Sequence, residues 1–511
     1  MQMVLMVLLA VLMANVHWPR GCARRLPSRG SLFGCSPTTC SRLLELLAAS
    51  SVAFSDNRPY PIYSVGCAFG GKSFGSLPMN NVNAHARAGY EIMAPAGGFA
   101  ALSAALAARA DAVYFGVGAL NMRARAAQGF TTADLPEIAG RCRDAGAKSY
   151  LTVNAIVYDN ELALMREILH AAKDAGISAV IASDPAAILA ARALDLEVHL
   201  STQLSISNAE ALRFYAPYAD VAVLARELTL EQIAEVSREI ERGKICGPSG
   251  ELMRIECFCH GALCMAISGK CNLSYFTRGK SGNRGECVQN CRRKYRLTDI
   301  ERGDVIDFDG RRFLSPKDLK TIGIMDRMVA AGIKVYKIEG RARSPEYVRT
   351  TVECYREALD AVLEGRWTEA SRTAWDERLS SVFNRGFWEG WYLGAQTLEQ
   401  TESDGSIATE KKVYCGRCLN FYAKSGIGYF QIEAQPIAKG DRFIVIGPTS
   451  GAVSGTVESL FVNDKPGELA VKGSEATFAV PERIRPGDRL FKLAPAEEAQ
   501  HLKPSPEKAA L

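Results

Sequence analysis

The sequence predicts an α/β protein: a (β/α)8 barrel of the TIM type followed by a small antiparallel β-barrel domain. From residue 90 onward, short runs rich in Val, Ile and Tyr alternate with Ala- and Leu-rich segments of helical length. The short runs are apolar throughout, which is typical of parallel strands buried on both faces. There are eight such runs over about 300 residues, which matches a TIM barrel with one insertion. A doubly wound open sheet is the alternative, because a strand count does not show closure.

The individual elements follow from these runs and from the residues at their ends. The predicted strands are residues 90–95, 111–117, 149–154, 178–183, 197–202, 220–225, 254–259 and 334–339. The predicted helices are residues 99–109, 133–145, 160–175, 185–193, 208–216, 229–241, 316–331 and 345–363. Asp184, Ser315 and Ser344 each stand before a proline, which predicts a capping side chain and a proline at the first helical position. Asp318 would then lie in the first turn of the helix 316–331, where capping competes with chemistry.

Residues 1–88 are predicted to lie outside the fold, as a disordered extension or an artefact of start-site choice. Their first fifteen residues are apolar, but they lack the preceding Lys or Arg of a secretory signal. The run is also too short to read as a membrane span. A secretory or organellar route stays open as the alternative. We expect a cytoplasmic protein without stable membrane insertion.

The chain after the barrel, whose predicted bounds are 89–364, divides into three parts. Residues 365–410 are rich in aromatic side chains and are expected to form a connector that packs on the barrel. Residues 411–495 consist of short apolar runs split by glycine turns, which predicts the antiparallel β-barrel. The polar tail 496–511 is expected to be disordered.

Composition sets loose limits on function. The chain has 511 residues, of which 48% are hydrophobic and 23% are charged, as in an ordinary soluble protein. A net charge of +5 permits an anionic partner without requiring one. In a chain of this length, fifteen cysteines favour metal ligation over a secreted disulfide scaffold.

The strongest chemical signal is a cysteine-rich insertion at residues 257–296. Six residues separate Cys264 from Cys271, fifteen more precede Cys287, and three more precede Cys291. Four thiolates suit a tetrahedral zinc ion or a 4Fe–4S cluster, and the spacing is not that of a paired zinc ribbon. The insertion follows the carboxyl end of a predicted barrel strand, where active sites of this architecture are built. Four buried free cysteines are the structural alternative.

Four further cysteines are interpreted as packing residues. Cys257 and Cys259 alternate along the predicted strand 254–259. Cys415 and Cys418 form a lone CxxC in the C-terminal domain, which is a weak metal signal.

Several motifs carry a family resemblance. They are CFCHGALCMAISGKCNLSYF, NRGECVQNCRRKY, EIMAPAGG, LSTQLSISN, VLARELTLEQI, FLSPKDL and KIEGRARSPEYV. Together they resemble the signature of the U32-type, collagenase-like peptidase family, and the resemblance covers residues 88–495. Within that family the chain looks most similar to the proteins of tRNA hydroxylation. Those members use prephenate to convert a wobble uridine to 5-hydroxyuridine without dioxygen.

The resemblance implies a cofactor and its ligands. Several relatives carry a 4Fe–4S cluster on cysteines of this motif, and some take the fourth ligand from elsewhere in the chain. The matching positions here are Cys264, Cys271, Cys287 and Cys291. Other relatives hydroxylate ribosomal RNA or the ubiquinone ring, so these substrates are alternatives to tRNA.

The residues themselves argue weakly for a peptidase. The chain has no HExxH or GxSxG motif and no evident Cys–His nucleophile pair. His260, four residues before Cys264, is a candidate base or a structural histidine. A secreted or surface peptidase acting on collagen-like protein is the alternative function, in which the cysteines would bind zinc or form disulfides.

A basic stretch with interleaved aromatic residues favours RNA. Seven Lys or Arg residues and one acidic residue, Glu286, fall between positions 278 and 296, near Tyr275, Phe276 and Tyr295. This composition predicts phosphate contacts and base stacking, with a solvated loop as the alternative. The candidate RNA contacts are Arg284, Arg292 and Arg293. The small C-terminal domain, which resembles barrels of translation factors, is expected to help grip RNA. A non-catalytic RNA-binding scaffold is a third possible function of the protein as a whole.

Further candidates lie at the ends of the predicted strands. Arg341 and Arg343 precede the helix 345–363 and are expected to bind the carboxylates of prephenate together. Lys337 and Glu339 share one side of their strand, so they are expected to pair with each other or to act in catalysis. Gln203, Arg226 and Glu227 are further catalytic candidates, and Asn154 and Lys317 are further substrate-binding candidates. The hypothesis is hydroxylation at C5 of a uridine flipped into the barrel mouth.

Overall fold

The computed structural model describes residues 89–124, 129–306, 314–403 and 405–497. The extension 1–88 and residues 498–511 of the tail lie outside the described residues, and so do the expectations of disorder made for them.

The first seven strands of the barrel follow one another, each parallel to the one before it. They are β1 (Glu91–Pro95), β2 (Ala112–Phe115), β3 (Lys148–Val153), β4 (Ala179–Ala182), β5 (Glu197–Leu200), β6 (Val221–Val223) and β7 (Arg254–Gly261). The helices between them are α1 (Phe99–Ala107), α2 (Leu135–Asp144), α3 (Leu162–Ala175), α4 (Pro185–Ala193), α5 (Ala209–Tyr215) and α6 (Leu230–Gly243). Each lies within a few residues of its predicted place.

The insertion and the eighth barrel strand follow β7. In chain order the elements are α7 (Leu273–Arg278), β8 (Leu297–Thr298), β9 (Val305–Ile306), β10 (Asp318–Lys320), α8 (Met325–Ala330), β11 (Val335–Ile338) and α9 (Pro345–Leu363). Strand β11 pairs in parallel with both β1 and β7 and thereby closes the barrel. This closure confirms the predicted (β/α)8 barrel over the open sheet.

Some helix ends match the sequence signals for capping. The Asp184 carboxylate accepts a hydrogen bond from the Ala186 amide at the start of α4 (2.9 Å), as expected of an N-cap. Pro345 begins α9, although the Ser344 side chain makes no capping bond. Gly176 ends α3 in the left-handed conformation that favours glycine.

The helix predicted over 316–331 is wrong in its first half. Asp318–Lys320 form β10, which pairs antiparallel to β7, and the helix begins only at Met325. The amides of Lys317 and Asp318 donate to the carbonyls of Glu399 and Gly386 at 2.9 and 2.8 Å. These long-range bonds draw the chain into an extended conformation, so the local Ser-Pro signal does not start a helix here.

The connector holds a helix that the sequence did not predict, α10 (Glu369–Ser381), and the short strand β12 (Phe387–Trp388), which pairs with β10. Trp375, Trp388 and Tyr392 are buried in the same apolar cluster as the barrel helices. The aromatic residues therefore pack against the barrel.

The C-terminal domain is antiparallel, as predicted. Its strands are β13 (Glu410–Tyr422), β14 (Ile427–Ile432), β15 (Ile437–Ala438), β16 (Arg442–Gly447), β17 (Gly451–Thr456), β18 (Phe461–Val462), β19 (Lys465–Pro466), β20 (Leu469–Ala470), β21 (Glu475–Ala479) and β22 (Arg489–Pro495). Eight of them form one sheet in the order β17-β16-β22-β13-β14-β21-β18-β19, and β15 pairs with β20. Among the described residues, the two edge strands β17 and β19 do not pair with each other. Closure of the sheet into a small barrel therefore stays a prediction.

The C-terminal sheet is fixed to the barrel through helix α1. Gly451, at the start of β17, has a φ of 71° and lies so close to α1 that a Cβ there would come within 2.7 Å of the Ala104 nitrogen. Arg349 of α9 donates to the Ala452 carbonyl at 2.6 Å, and Arg141 of α2 donates to the Pro448 carbonyl at 3.1 Å. Three helices of the barrel thus contact the β16–β17 hairpin.

The connections contain short 3-10 turns. They are Thr132–Asp134, Asp159–Glu161, Thr202–Leu204, Ala216–Tyr218, Ile267–Gly269, Gly282–Arg284, Asn290–Arg292 and Ile322–Ile324. In the part of the chain that the structure describes, no helix combines the length and apolar character needed to cross a bilayer.

Candidate active site

A cavity of about 170 Å³ opens at the carboxyl ends of the barrel strands and is bordered by the insertion. Strands β2, β7 and β11 contribute Tyr114, Phe258 and Lys337 to its lining. This is the end of the barrel at which enzymes of this architecture build their active sites. Eleven of the residues selected from the sequence line it: Cys264, Cys271, Cys287, Cys291, Asn154, Gln203, Arg226, Arg292, Lys337, Glu339 and Arg341.

The four cysteines reach the cavity from separate turns of the insertion. Cys264 follows the end of β7, Cys271 precedes α7, and Cys287 and Cys291 follow it. All four are free thiols, and all are at least partly accessible to solvent. The start of α7 faces two of the sulfurs: the Leu273 amide donates to Cys271 Sγ at 3.3 Å, and Ser274 Oγ donates to Cys287 Sγ at 3.8 Å.

The sulfurs are close enough to influence one another's charge. Burial raises the pKa of Cys291 to about 11, Arg292 opposes this rise, and the other three cysteines add to it. Because thiolates in one cavity repel one another, a cation among them would be needed to hold all four ionised.

This donor set is of the kind that an iron–sulfur cluster needs, since such clusters are held by four cysteine thiolates. Among the described residues, no group of three or more His, Cys, Asp or Glu side chains is arranged to hold a single metal ion. A cube bonds each thiolate to a different iron atom, so its ligands need not converge on one point. Both the iron–sulfur cluster and the zinc ion stay predictions.

Arg341 is a buried cation of the cavity. Its guanidinium donates to Thr152 Oγ1 at 2.7 Å and to Asn121 Oδ1 at 3.2 Å, and it lies 5.7 Å from the centre of the Tyr114 ring. Burial lowers its pKa to about 10, which still leaves it charged at neutral pH. A buried guanidinium facing a cavity is suited to bind a carboxylate or a phosphate.

The expected pair between Lys337 and Glu339 does not form. Lys337 Nζ instead lies 2.6 Å from Glu256 Oε1 on β7, and Glu339 Oε1 lies 2.9 Å from Arg123 Nη2. Lys337 finds its partner on the neighbouring strand β7, and Glu339 finds its partner in the loop after β2. Burial alone would raise the pKa of Glu339, but the charges of Arg123 and Arg343 lower it to about 2.

Polar side chains of β3 and β5 form one side of the cavity. Asn154 Nδ2 donates to Ser201 Oγ at 3.1 Å and to Gln203 Oε1 at 3.3 Å, while Ser201 Oγ also donates to Gln203. The Met122 amide donates to Asn154 Oδ1 at 3.2 Å. Thr202 Oγ1 is buried beside them without a hydrogen-bond partner. Amides held in this way can read the donor and acceptor pattern of a planar ligand.

Arg226 also lines the cavity. Its guanidinium stacks on the Phe258 ring at 3.6 Å and donates to the Ala262 carbonyl at 3.1 Å. Glu227, its neighbour in the chain, is not among the lining residues.

The structure does not bring His260 to the cavity. Its ring is buried 5.5 to 5.8 Å from the rings of Tyr347, Tyr355 and Phe387. The pairing register between β7 and β11 shifts beside Phe258, so strict alternation along β7 is lost before His260. Burial, together with Lys320 and Arg343, lowers its pKa to about 3. A neutral histidine packed among rings fits the structural interpretation rather than the predicted base.

Arg343 and Lys317 are also separated from the cavity. Arg343 stacks on Phe383 at 3.6 Å and lies 3.9 Å from Asp318, so the expected joint anion site with Arg341 is not formed. Lys317 Nζ pairs with Glu399 at 2.7 Å outside the lining.

The candidates of the basic loop have three different environments. Arg284 stacks on Tyr158 at 3.8 Å and forms an ion pair with Glu161. Its charge is therefore balanced within the protein. Arg292 donates to Ser315 Oγ, Pro316 O and Leu263 O and so ties the insertion to the barrel. Arg293 is exposed and faces solvent.

Several lining residues were missed by the sequence analysis. They are Tyr114, Arg123, Thr152, Ser201, Thr202, Gln289 and Asn290. Tyr114 and Thr152 belong to strands that were correctly predicted, and their alternation toward the barrel interior was the available signal. Arg123 lies in an irregular loop, where no periodic pattern points to it.

Comparison with known proteins identifies a family and several relatives. The model of peptidase family U32 matches residues 97–402. A protein named collagenase from Porphyromonas gingivalis strain W83 is 50% identical over 80% of this chain and 99% of its own length. tRNA hydroxylation protein P1 of Bacillus subtilis is 31% identical over 73% of this chain and 87% of its own length.

A third relative is named as an enzyme that modifies ribosomal RNA. The 23S rRNA 5-hydroxycytidine C2501 synthase of Escherichia coli is 34% identical over 54% of this chain and 40% of its own length. The matched region of the family model contains the whole barrel mouth, including the insertion. The chain therefore belongs to peptidase family U32.

Proposed function

We propose that this protein is an iron–sulfur-dependent enzyme that hydroxylates a pyrimidine base of RNA, a wobble uridine of tRNA being the first candidate. The observation that carries the proposal is the convergence of four free cysteines, a buried arginine and fixed side-chain amides on one cavity. Relatives named for tRNA and rRNA hydroxylation support this reaction class.

The cluster would be held by Cys264, Cys271, Cys287 and Cys291. When bound, it would supply electron transfer or Lewis-acid chemistry at the edge of the cavity. The chain's own task there is to position the sulfur atoms, which the start of α7 assists through its bonds to Cys271 and Cys287.

The cavity walls are suited to hold a flipped base. Asn154 and Gln203 are tied to each other, so their amides are oriented before a ligand arrives. A base edge carries carbonyl and N–H groups that such amides can pair with. Arg226, stacked flat on Phe258, extends an apolar and cationic wall against which a ring can lie.

Prephenate remains our proposed co-substrate, but its expected site changes. Arg341 faces the cavity while Arg343 does not, so Arg341 is the carboxylate-binding residue, with Arg123 as the second cation of the same lining. Arg123 is already paired with Glu339, so a dianion would have to compete with that carboxylate.

The outer surface of the insertion provides a place for the rest of the RNA. Tyr275 and Phe276 are 58% and 82% exposed, and Arg293 and Lys294 are exposed as well. Exposed aromatic rings beside cations suit base stacking and phosphate contacts. An RNA substrate also agrees with the cytoplasmic location expected from the sequence.

The test is the nucleoside content of tRNA and rRNA from cells that lack the gene, measured by mass spectrometry. We expect loss of a 5-hydroxylated pyrimidine and its return with the wild-type gene but not with Cys287→Ser. Unchanged 5-hydroxypyrimidines in both RNA classes would remove the proposal.

A peptidase is the second candidate, favoured by the relative named collagenase. No histidine is among the described residues that line the cavity, so a histidine base would have to come from outside it. Aerobic, metal-depleted protein incubated with gelatin and with a collagen-like peptide tests this candidate. Cleavage that is lost in Lys337→Met would favour the peptidase.

A further inference from the structure

Four ionisable side chains form a continuous hydrogen-bonded chain through the interior of the barrel. Glu197 Oε1 lies 3.1 Å from His199 Nε2, His199 Nδ1 lies 3.3 Å from Glu256 Oε2, and Glu256 Oε1 lies 2.6 Å from Lys337 Nζ. His199 and Glu256 are fully buried, so no water reaches the middle of the chain from the surface.

The two ends of this chain open on opposite sides of the barrel. Lys337 lines the active-site cavity at the carboxyl end of the strands. Glu197 is the first residue of β5, at the other end, and its side chain is 31% exposed. The chain therefore connects the cavity with solvent on the far face of the barrel.

Other charged groups fix the two ends. Arg254 bonds both Glu197 and Glu91, at 3.1 and 2.6 Å, and Lys148 Nζ lies 2.6 Å from Glu91. At the cavity end, Lys337 lies 4.6 Å from the centre of the Tyr114 ring. The remaining groups that face the chain are Tyr150, whose ring lies 4.5 Å from that of His199, and the cations Arg341 and Arg226.

The two carboxylates of the chain stay ionised, because their cationic partners lower the pKa of Glu197 and of Glu256 despite burial. Burial lowers the pKa of Lys337, and Arg341 and Arg226 lower it further against the attraction of Glu256. Burial would lower the pKa of His199 too, but its two carboxylate partners reverse this and raise it. The pKa values of Lys337 and His199 are thereby brought closer together, and both side chains contact the Glu256 carboxylate.

We propose that Glu197, His199 and Glu256 form a proton relay that recharges Lys337 from the solvent beneath the barrel. Lys337 donates a proton from Nζ to an oxygen or nitrogen of the substrate in the cavity and becomes a neutral amine. A proton then moves from the His199 ring to Nζ through the Glu256 carboxylate, and water restores the proton of His199 through the Glu197 carboxylate, so both carboxylates end ionised as they began. One proton crosses the barrel, and no electron moves.

The relay rests on the proposed function only in that the cavity is the active site. Its physical interest is that a barrel interior is ordinarily filled by branched apolar side chains. Replacing a buried ionic group by apolar residues is often neutral or stabilising. Stability alone therefore does not account for the hydrogen-bonded chain of ionisable side chains. A path that supplies protons while the substrate and the insertion cover the cavity does account for it.

The first test measures the relay without any turnover. Protein labelled with 15N-histidine gives the ring N–H signals of His199, assigned by their loss in His199→Gln. We expect these protons to exchange with solvent despite complete burial, and to exchange at least severalfold more slowly in Glu197→Gln. The matched control is Glu235→Gln, a surface change on α6. Equal exchange in Glu197→Gln and the control would overturn the relay, whether or not the protein modifies RNA.

The second test uses turnover on tRNA from the deletion strain, with prephenate and reconstituted protein. Glu256→Gln is expected to lower the rate roughly 100-fold, as is typical when general acid catalysis is lost. RNA binding and the thermal midpoint of Glu197→Gln should equal those of the control, while its rate falls and its solvent isotope effect rises. If wild-type protein is active and Glu197→Gln matches the control in both quantities, the relay is excluded while the proposed function stands.

Discussion

The interior of the barrel and the core of the C-terminal sheet are both buried but differ in the charged groups that they contain. In the sheet, the Phe478 ring lies 4.6 Å from Phe430 and 4.9 Å from Phe443, and the surrounding core is aliphatic. In the barrel, Glu256 and His199 are fully buried beside an apolar cluster of strand residues. An apolar core stabilises through the area it removes from water, whereas an ionic core must first overcome desolvation. The core of the sheet thus contributes mainly to stability, whereas the barrel interior holds ionisable side chains at fixed positions.

The cysteines divide in the same way. Cys415 and Cys418 are buried in the sheet core, and burial raises the pKa of Cys418 to about 11, so both stay neutral thiols. The four candidate ligands, Cys264, Cys271, Cys287 and Cys291, are at least partly accessible and face a cavity. Accessibility and mutual proximity, rather than the number of cysteines, distinguish the candidate ligands from packing residues.

The largest expected effect concerns the thiols. Cys287→Ser should abolish iron binding and RNA hydroxylation together, because a hydroxyl is a poor cluster ligand. Cys415→Ser, its matched change in the sheet, should keep full iron content and lose stability instead. Iron, sulfide and absorption measured on protein prepared without oxygen provide the check. Full iron content in Cys287→Ser would show that Cys287 is not an iron ligand, and the distinction between cavity cysteines and packing cysteines would then fail.

The next effect concerns the aromatic core. Phe478→Ala should lower the free energy of unfolding of the C-terminal domain by about 3 to 5 kcal/mol, the usual range for a deleted core phenylalanine. Iron content should be unchanged when the protein remains folded. Urea denaturation, monitored by far-ultraviolet circular dichroism, measures the change in the free energy of unfolding. A loss below about 1 kcal/mol would mean that the sheet core is loosely packed.

The ionic interior predicts a dependence on pH that the sheet core does not. Burial would raise the pKa of Glu91, but Arg254 and Lys148 outweigh it and lower the pKa to about 2, from 4.5. A lowered pKa in the folded state stabilises above pH 4.5, and the benefit is lost as the pH falls toward 2. The contribution is about 3 kcal/mol. Glu91→Gln should therefore flatten the acid limb of a stability profile between pH 4.5 and 2, and an unchanged profile would contradict the assigned pairing.

The smallest expected effect compares the two surfaces offered to RNA. Arg293→Ala in the insertion should weaken RNA binding severalfold and reduce the salt dependence by about one phosphate contact. Lys472→Ala, an exposed change in the C-terminal domain, serves as the matched variant. Binding of the undermodified tRNA at several salt concentrations measures both. A larger effect at Lys472 would move the principal RNA surface to the sheet.

The sequence was sufficient for features that depend on local pattern. All eight barrel strands were found because parallel strands buried on both faces are uniformly apolar. The four cysteines were found because of their spacing and their position after β7. Both signals are contained in short stretches of chain, so no knowledge of tertiary contacts was needed.

The errors arose where partners are distant in sequence. Lys337 pairs with Glu256, 81 residues away, and Arg123 with Glu339, 216 residues away, and no local pattern reports such contacts. His260 was misplaced because the register shift beside Phe258 breaks the alternation along β7. The helix 316–331 failed because hydrogen bonds from residues 317 and 318 to the connector outweighed a local capping signal.

The contact at Gly451 has a consequence for the position of the terminal sheet. The backbone of β17 lies against the backbone of α1 with no side chain between them, so neither can slide past the other without a clash. The contact therefore opposes bending between the barrel and the terminal sheet, and it holds the sheet at a constant distance from the mouth of the cavity.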